Sequence, residues 1–287
     1  MCFAWNWIHL MACPKKSPAD ILISHTVREL LAQNAITVSS DKPKERFPTT
    51  PEAPVSADKG NIYTDGSYSS LTGGTWHLED SPLKANWIMQ MLTKHPDFKP
   101  KTVCEIGCGA GGIVAELQKT MPKGTHFTGY EISPQAHAMS LQFSNTSLRF
   151  VLGSAFDDSE SYDLALVMDV VEHVEDCFAF LRQTKLKARI KVLHIPLDAH
   201  VSAILRGRNS WDDVGHIHIF TIETALKTLE HSGYRIHDWF LTEGAITAPT
   251  GNTRTRLANL LRRPLCRLSP TLSARLLGGN SMLIFAE

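Results

Sequence analysis

Short apolar runs alternate with amphipathic stretches between residues 102 and 198. The apolar runs read TVCEIGC, THFTGYEIS, LRFVLGSAF, YDLALVMD and IKVLHIPLD, and most are separated by helical patterns such as GGIVAELQKTM. Because neighbouring parallel strands need a crossover, usually a helix, this order is typical of a parallel sheet with helices on both faces. Such sheets bind ligands at the carboxyl ends of their strands. The sequence therefore predicts an α/β fold with its site at that edge.

Composition argues against several classes of protein. The chain has 29 Lys and Arg against 29 Asp and Glu, so no general excess of positive charge is available to neutralise nucleic-acid phosphates. We therefore expect no nucleic-acid partner. The six cysteines form no CxxC pair, and no apolar run reaches the roughly 18 residues that span a membrane. These features favour a cytoplasmic protein with reduced thiols.

The glycine-rich segment from Glu105 to Gly112 follows the first apolar run and opens the first helical pattern. Its glycines fit G-x-G-x-x-G, a pattern that serves dinucleotides and other nucleoside ligands. Glu105 stands where a dinucleotide fingerprint usually has an apolar residue, and a carboxylate there suits a cationic ligand group. Glu131 ends the second apolar run, where an acid can accept hydrogen bonds from ribose hydroxyls. An NAD(P)-dependent oxidoreductase is the alternative at this point.

Four motifs together resemble the class I S-adenosylmethionine-dependent methyltransferases. They are EIGCGAG at 105–111, the acid of GYEIS, GSAFD at 153–157 and YDLALVMDVVEHV at 162–174. The resemblance implies a Rossmann-like, doubly wound α/β fold: a mostly parallel seven-stranded sheet with an antiparallel C-terminal edge strand. It also implies S-adenosyl-L-methionine as the cofactor. The implied reaction is methyl transfer, mainly to oxygen, on a small molecule or a lipid or glycan precursor.

The resemblance assigns the cofactor contacts to residues of the first three motifs, namely Glu105, Gly107, Cys108, Gly109, Gly111, Glu131, Ile132, Ser154 and Ala155. Glu105 is expected to meet the ammonium of the methionine moiety, and Glu131 the ribose. Many members have Asp at the position of Ser154, where it binds the adenine amino group. Here Asp157 or the backbone of Ala155 is expected to substitute.

Candidate catalytic residues follow the later strands. Methylation of a hydroxyl requires a group that takes its proton. For this role we favour His216, in VGHIHIFT, over His200 and His218. Asp169, at the end of the fourth apolar run, and His173 are further candidates for the active site.

The same region contains a second pattern, D-x-x-E-H, formed by Asp169, Glu172 and His173. On a helix these spacings place all three side chains on one face, and carboxylates with imidazole suit a divalent metal. The pattern is similar to the metal-binding E-x-x-E-H of some quinone-precursor O-methyltransferases. E-H-V after the fourth strand is also common in members without a known metal, where it serves packing and the helix start. We therefore assign no metal ligand from the sequence.

The organisation predicted from these patterns has two parts. Residues 1–80 form an N-terminal extension with a helix, a Pro- and Ser-rich linker and a lid loop that carries the aromatic residues Tyr63, Tyr68, Trp76 and His77. Residues 81–287 form the methyltransferase domain, with insertions at about 200–220 and 245–278.

Residues 254–277 interleave arginines with leucines. Such a segment suits a helix that contacts an anionic membrane surface, or alternatively an amphipathic cover over the core. The first interpretation includes a peripheral membrane protein that keeps the fold without catalysis. A lipid-linked substrate would suit the same surface. The sequence makes no prediction about oligomeric state.

Overall fold

A computed structural model describes residues 74–207, 215–247 and 253–287. Its centre is a seven-stranded sheet in the order β3-β2-β1-β4-β5-β7-β6. The strands are β1 (Thr102–Ile106), β2 (His126–Glu131), β3 (Leu148–Leu152), β4 (Tyr162–Met168), β5 (Ala188–Pro196), β6 (Ile236–Thr242) and β7 (Ser281–Ala286). The Tyr63 and Tyr68 positions of the predicted lid lie outside the described residues.

Strands β1 to β5 pair in parallel, whereas β7 pairs antiparallel with both β5 and β6. The predicted Rossmann-like doubly wound fold is confirmed. One detail is wrong: the antiparallel C-terminal strand is not the edge strand. β7 reads SMLIFA and is almost entirely buried, which suits an inner position, whereas the partly exposed β6 occupies the edge.

Helices cover both faces of the sheet. They are α1 (Ser81–Lys94), α2 (Gly112–Thr120), α3 (Pro134–Ser140), α4 (Cys177–Lys187), α5 (Val201–Arg206), α6 (Ile222–His231), α7 (Gly244–Thr247), α8 (Thr253–Leu268) and α9 (Pro270–Leu276). One core cluster contains Ile88 of α1 and Leu117 of α2, and the other contains Leu181 of α4 and Leu229 of α6. Each face thus buries its own apolar layer, as a doubly wound fold requires.

The stretch after β4 is not one continuous helix. Residues Val171–His173 form a short 3-10 turn, and α4 begins only at Cys177. The Asp176 side chain accepts a hydrogen bond from the Ala179 N–H, which caps α4 and fixes its start. Asp169 precedes the turn in the left-handed region, with φ of 57°. The expectation that Asp169, Glu172 and His173 share one helical face is therefore wrong.

Helix α8 packs with its polar side inward. Buried Asn259 donates to the backbone carbonyl of Ala245, and Arg262 donates to the carbonyl of Leu277. Four leucines of the same helix are between 66% and 85% exposed: Leu257, Leu260, Leu261 and Leu268. Leu265 is half-buried and Cys266 is buried, so only part of the apolar surface of α8 covers the core. Within the described residues, no helix combines the length and apolarity needed to cross a bilayer.

Candidate active site

The glycine loop after β1 forms the floor of the site. The N–H groups of Gly107 and Cys108 both donate to the Tyr130 carbonyl at 2.9 Å, which holds the loop against the end of β2. Gly109 has φ of 55°, a conformation that non-glycine residues rarely adopt. A Cβ added there would meet nothing closer than the Trp76 carbonyl oxygen at 4.0 Å. The loop therefore leaves open space above Gly109, beside the segment that was predicted as a lid.

Glu131 lies directly beside this loop at the end of β2. Its Oε2 accepts the Gly109 N–H at 2.7 Å, and its Oε1 accepts the Ser133 N–H at 2.8 Å. Ser133 in turn caps α3 by accepting from the Ala136 N–H. Two backbone donors and a helix start thus fix the carboxylate where the sequence predicts a ribose contact.

Glu105 is buried near the end of β1. Only 1% of the residue is exposed, and its carboxylate accepts the Val114 N–H at the start of α2. Burial raises its pKa to about 8, against the opposing effects of Lys84 and the Val114 N–H. The carboxylate therefore links the two elements on either side of the glycine loop, and its contact with a ligand ammonium stays a prediction.

The other cofactor candidates surround the Glu131 end of the sheet. Ile132 is an exposed apolar side chain next to Glu131, and Ala155 is buried in the core. Ser154 accepts the Phe156 N–H at 3.1 Å, so its hydroxyl stabilises the loop after β3. The Gly153 N–H donates to the Glu131 carbonyl, which ties that loop to β2. The Ser154 hydroxyl is thus engaged within its own loop, and an adenine contact by the exposed Asp157 or by the Ala155 backbone stays a prediction.

Asp169 belongs to a network that the sequence did not reveal. Its Oδ1 contacts His194 Nδ1 at 2.6 Å, and its Oδ2 contacts Lys84 Nζ at 2.7 Å. His194 Nε2 lies 2.9 Å from Thr242 Oγ1, and its ring stacks on Trp87. Burial alone would raise the pKa of Asp169, but His194 and Lys84 lower it well below its usual range. Asp169 is therefore an ionised anchor that joins α1, β4, β5 and β6.

His216 pairs with an acid that the sequence analysis did not single out. Its Nδ1 lies 2.6 Å from Asp198 Oδ2, just beyond the carboxyl end of β5. The His216 ring packs edge-on against His173, with centroids 4.8 Å apart. Burial lowers the pKa of His173 to about 4, so that ring is neutral at pH 7. An oriented, paired imidazole at a strand end can exchange a proton with a substrate.

Glu172 lies in the same cluster. Its backbone carbonyl accepts the N–H groups of Ile217 and His218, which brings the 216 segment against the 3-10 turn. Burial, together with the charge of Asp169, raises the pKa of Glu172 well above its usual range. One ligand atom from each of Glu172, His173 and His216 lies within 4.8 Å of the others.

The two other histidines considered as bases have structural roles. His200 caps α5 through Nδ1, which accepts the Ala203 N–H at 3.2 Å. His218 Nε2 contacts the Val174 carbonyl at 2.8 Å. The contacts thus distinguish His216 from His200 and His218, although the three histidines stand in similar sequence settings.

The sequence model of a methyltransferase domain family matches residues 77–238, more than half of the chain. This chain belongs to the methyltransferase domain family. The match includes the glycine loop, Glu131 and the strand-end residue Asp169. The contacts described above are therefore those of a methyltransferase domain. The family assignment argues against the alternative of an NAD(P)-dependent oxidoreductase.

Two relatives and one solved structure illustrate the family. The chain is 27% identical over 205 residues to the ubiquinone biosynthesis O-methyltransferase of Rhodopseudomonas palustris (strain BisA53), covering 64% of this chain and 74% of the relative. It is 30% identical over 89 residues to (S)-tetrahydroprotoberberine N-methyltransferase of Eschscholzia californica, covering 29% of this chain but only 25% of that relative. Magnesium protoporphyrin IX methyltransferase from Synechocystis PCC 6803, solved with bound SAH, superposes with a TM-score of 0.51 at 14% identity. That comparison covers 78% of this chain and 94% of the other, and it shows the fold alone.

Proposed function

We propose that this methyltransferase domain moves a methyl group from S-adenosylmethionine to the oxygen of a small molecule. The observation that carries the proposal is the juxtaposition of Glu131 with the open glycine loop. A carboxylate fixed 2.7 Å from the Gly109 N–H is suited to accept ribose hydroxyls beside a loop that a ligand can approach closely. The solved neighbour with bound SAH supports the choice of cofactor. The ubiquinone O-methyltransferase relative supports the choice of oxygen as the methyl acceptor.

The residues present fit such a cofactor. The space at Gly109 lets a ligand come close to the backbone, Glu131 offers carboxylate oxygens and Ile132 offers an exposed apolar surface. When bound, the cofactor supplies an activated methyl group on a sulfonium. The protein then has to align the acceptor and exclude water, and such alignment contributes a large part of the barrier reduction in bimolecular reactions.

The residues expected beside the methyl acceptor favour an oxygen as the atom that is methylated. A hydroxyl must lose its proton as the new carbon–oxygen bond forms, and the Asp198–His216 pair lies where two strand ends meet. With Nδ1 held by Asp198, the other ring nitrogen of His216 is the atom that we expect to take that proton. Asp169 and His173 flank it as further active-site candidates.

Glu131→Gln tests the cofactor half of the proposal. We expect isothermal titration of the wild-type chain with S-adenosylmethionine to show saturable 1:1 binding. The variant should bind at least tenfold more weakly, because a hydrogen bond to a charged group contributes about 1.5–3 kcal/mol. Glu230→Gln, on an exposed ion pair of α6, is the matched control. Absence of saturation at millimolar ligand, or tight binding of NADH instead, would reject the proposal.

His216→Gln tests the acceptor half. We expect the rate of methyl transfer to hydroxyl acceptors to fall by about 10²–10⁴, since positioned proton transfer contributes that much. Binding of S-adenosylmethionine, measured by the same titration, should stay within twofold of wild type. An unchanged transfer rate would exclude His216 from the reaction, whatever the cofactor result.

The exposed leucines and arginines of α8 lead to a further part of the proposal. We propose that the protein acts in the cytoplasm, contacts an anionic lipid surface through α8 and receives a lipid-linked acceptor there. The arginines Arg256, Arg263 and Arg267 alternate with the exposed leucines, which is the composition expected of an interfacial helix.

A further inference from the structure

Glu172 has an unusual environment for a carboxylate. Its side chain is 0% exposed, yet neither carboxylate oxygen has a hydrogen-bond partner among the described residues. A buried carboxylate without a partner is costly, and such groups in folded proteins are paired or bind metals. Lys84, the cation closest to this region, is held at 2.7 Å by Asp169. The structure therefore leaves the acid in need of a positive partner.

Two imidazoles face this acid. His173 Nε2 lies 3.9 Å from Glu172 Oε1, and its Nδ1 lies 3.0 Å from the Gly215 carbonyl. The second imidazole, His216, has its Nδ1 on Asp198 at 2.6 Å. In each ring, one nitrogen is thus oriented by a carbonyl or carboxylate oxygen. This is the outer-shell arrangement that orients the histidine ligands of protein metal sites.

We infer that Glu172, His173 and His216 form a binding site for a divalent cation, with Zn²⁺ as the best match. Two imidazole nitrogens and one carboxylate oxygen are a ligand set typical of zinc sites that keep an open position. Tetrahedral ligation at about 2.1 Å needs ligand atoms roughly 3.4 Å apart. Because the three atoms already lie within 4.8 Å of one another, side-chain shifts of about 1 Å complete the site.

This site differs from the D-x-x-E-H pattern in the sequence. Asp169 is excluded, because both its oxygens are bound by His194 and Lys84. His216 takes its place, and it comes from the segment that the Glu172 backbone carbonyl holds in position. The cation site is therefore a product of the tertiary fold and not of local spacing.

A cation here would alter the role of His216. The chemical consequence rests on the proposed function, whereas binding of the cation does not. With the metal in place, His216 is a ligand and not a base, and the open position can take the acceptor oxygen. Coordination would lower the pKa of the bound hydroxyl, whose proton would then pass to solvent water before methyl transfer.

Metal titration of the full chain tests the inference directly. After dialysis against EDTA, ZnCl₂ is added in competition with a chromogenic chelator, and retained zinc is counted by elemental analysis after desalting. We expect one tightly bound zinc per chain. Glu172→Gln and His216→Gln should each weaken binding at least 100-fold, and Asp198→Asn by 10–100-fold, the range for outer-shell partners. Co²⁺ should give the visible absorption of a tetrahedral site in the wild type and not in Glu172→Gln or His216→Gln.

Two variants outside the proposed ligand set serve as matched controls. Asp169→Asn should keep the metal, and so should Cys177→Ser, which removes the thiol 4.0 Å from His218. Circular dichroism and urea unfolding verify that each variant is folded. Zinc retention equal in wild type and Glu172→Gln would overturn the inference, as would loss of zinc in Asp169→Asn with retention in His216→Gln. If zinc binds but S-adenosylmethionine does not, only the proposed function fails.

Discussion

At the scale of single residues, burial determines which histidines can act in chemistry. His200 is almost fully enclosed below Gly278, where an added Cβ would come within 2.2 Å of its ring. Burial, with Arg206 and Arg262 nearby, lowers its pKa to about 4. A ring that stays neutral keeps its lone pair for the Ala203 N–H, and it is therefore a reliable cap.

This capping role predicts a pH-dependent stability. The unfolded chain protonates His200 near pH 6.5, but the folded chain does so only near pH 4. The stabilisation is thus complete above pH 6.5 and is lost as the pH falls from 6.5 towards 4. Urea unfolding should show the wild type losing up to about 2 kcal/mol more than His200→Asn over this range, allowing for solvent screening.

Asn is the appropriate replacement because it caps helices well and does not titrate. Its smaller size shifts the free energy of unfolding by a constant at every pH, so only the slope matters. Parallel pH profiles for the two proteins would show that His200 does not carry this linkage.

At the scale of secondary structure, α8 is the element whose sequence and surroundings disagree most. Its leucines face solvent because Asn259 and Arg262 use the inner face to bind backbone carbonyls of α7 and of residue 277. Arg262 is consequently a structural residue. Arg263 also contacts a backbone carbonyl, that of Ile246 at 3.4 Å, so the exposed Arg256 and Arg267 are the better probes of a lipid surface.

We expect the protein to co-sediment with vesicles that contain anionic phosphatidylserine. Arg256→Gln combined with Arg267→Gln should weaken this binding by about 2 kcal/mol, or roughly thirty-fold, since each arginine near such a surface contributes about 1 kcal/mol. Replacing Leu260 and Leu261 by Ser should also weaken it.

The matched control for the leucine pair is Leu186→Ser. Leu186 is 82% exposed on α4, away from the arginine-rich helix. Equal loss of binding in Leu186→Ser would indicate a general effect of surface hydrophobicity, and equal binding to neutral vesicles would contradict the role of the arginines.

At the scale of the whole molecule, the order of strands and helices in the central region could be predicted from local patterns. The glycine loop and Glu131 could also be predicted, because a tight turn and a strand end leave local signals in the sequence. The partner of Asp169 could not be predicted. His194 reaches it because Met168 pairs with His194 in the β4–β5 register, and such a register arises only when strands meet.

The acceptor side was predicted less completely for the same reason. His216 was chosen as one of three similar histidines, but its Asp198 partner and its contact with His173 depend on how a long connection folds back. Glu105 shows the reverse case. Its place in the motif follows from the sequence, whereas its burial and its bond to the Val114 N–H depend on packing of α2 against the sheet.

The position of β7 has a consequence for how the protein is made. β6 leaves the ribosome before β7, yet β7 is its neighbour in the described sheet and separates it from β5. Until β7 arrives, β5 presents an open edge and β6 has no strand to join. The first five strands can assemble during synthesis, whereas the last two strands of the sheet must wait for β7. In that interval the open edge of β5 and the unpaired β6 can pair wrongly with another nascent chain.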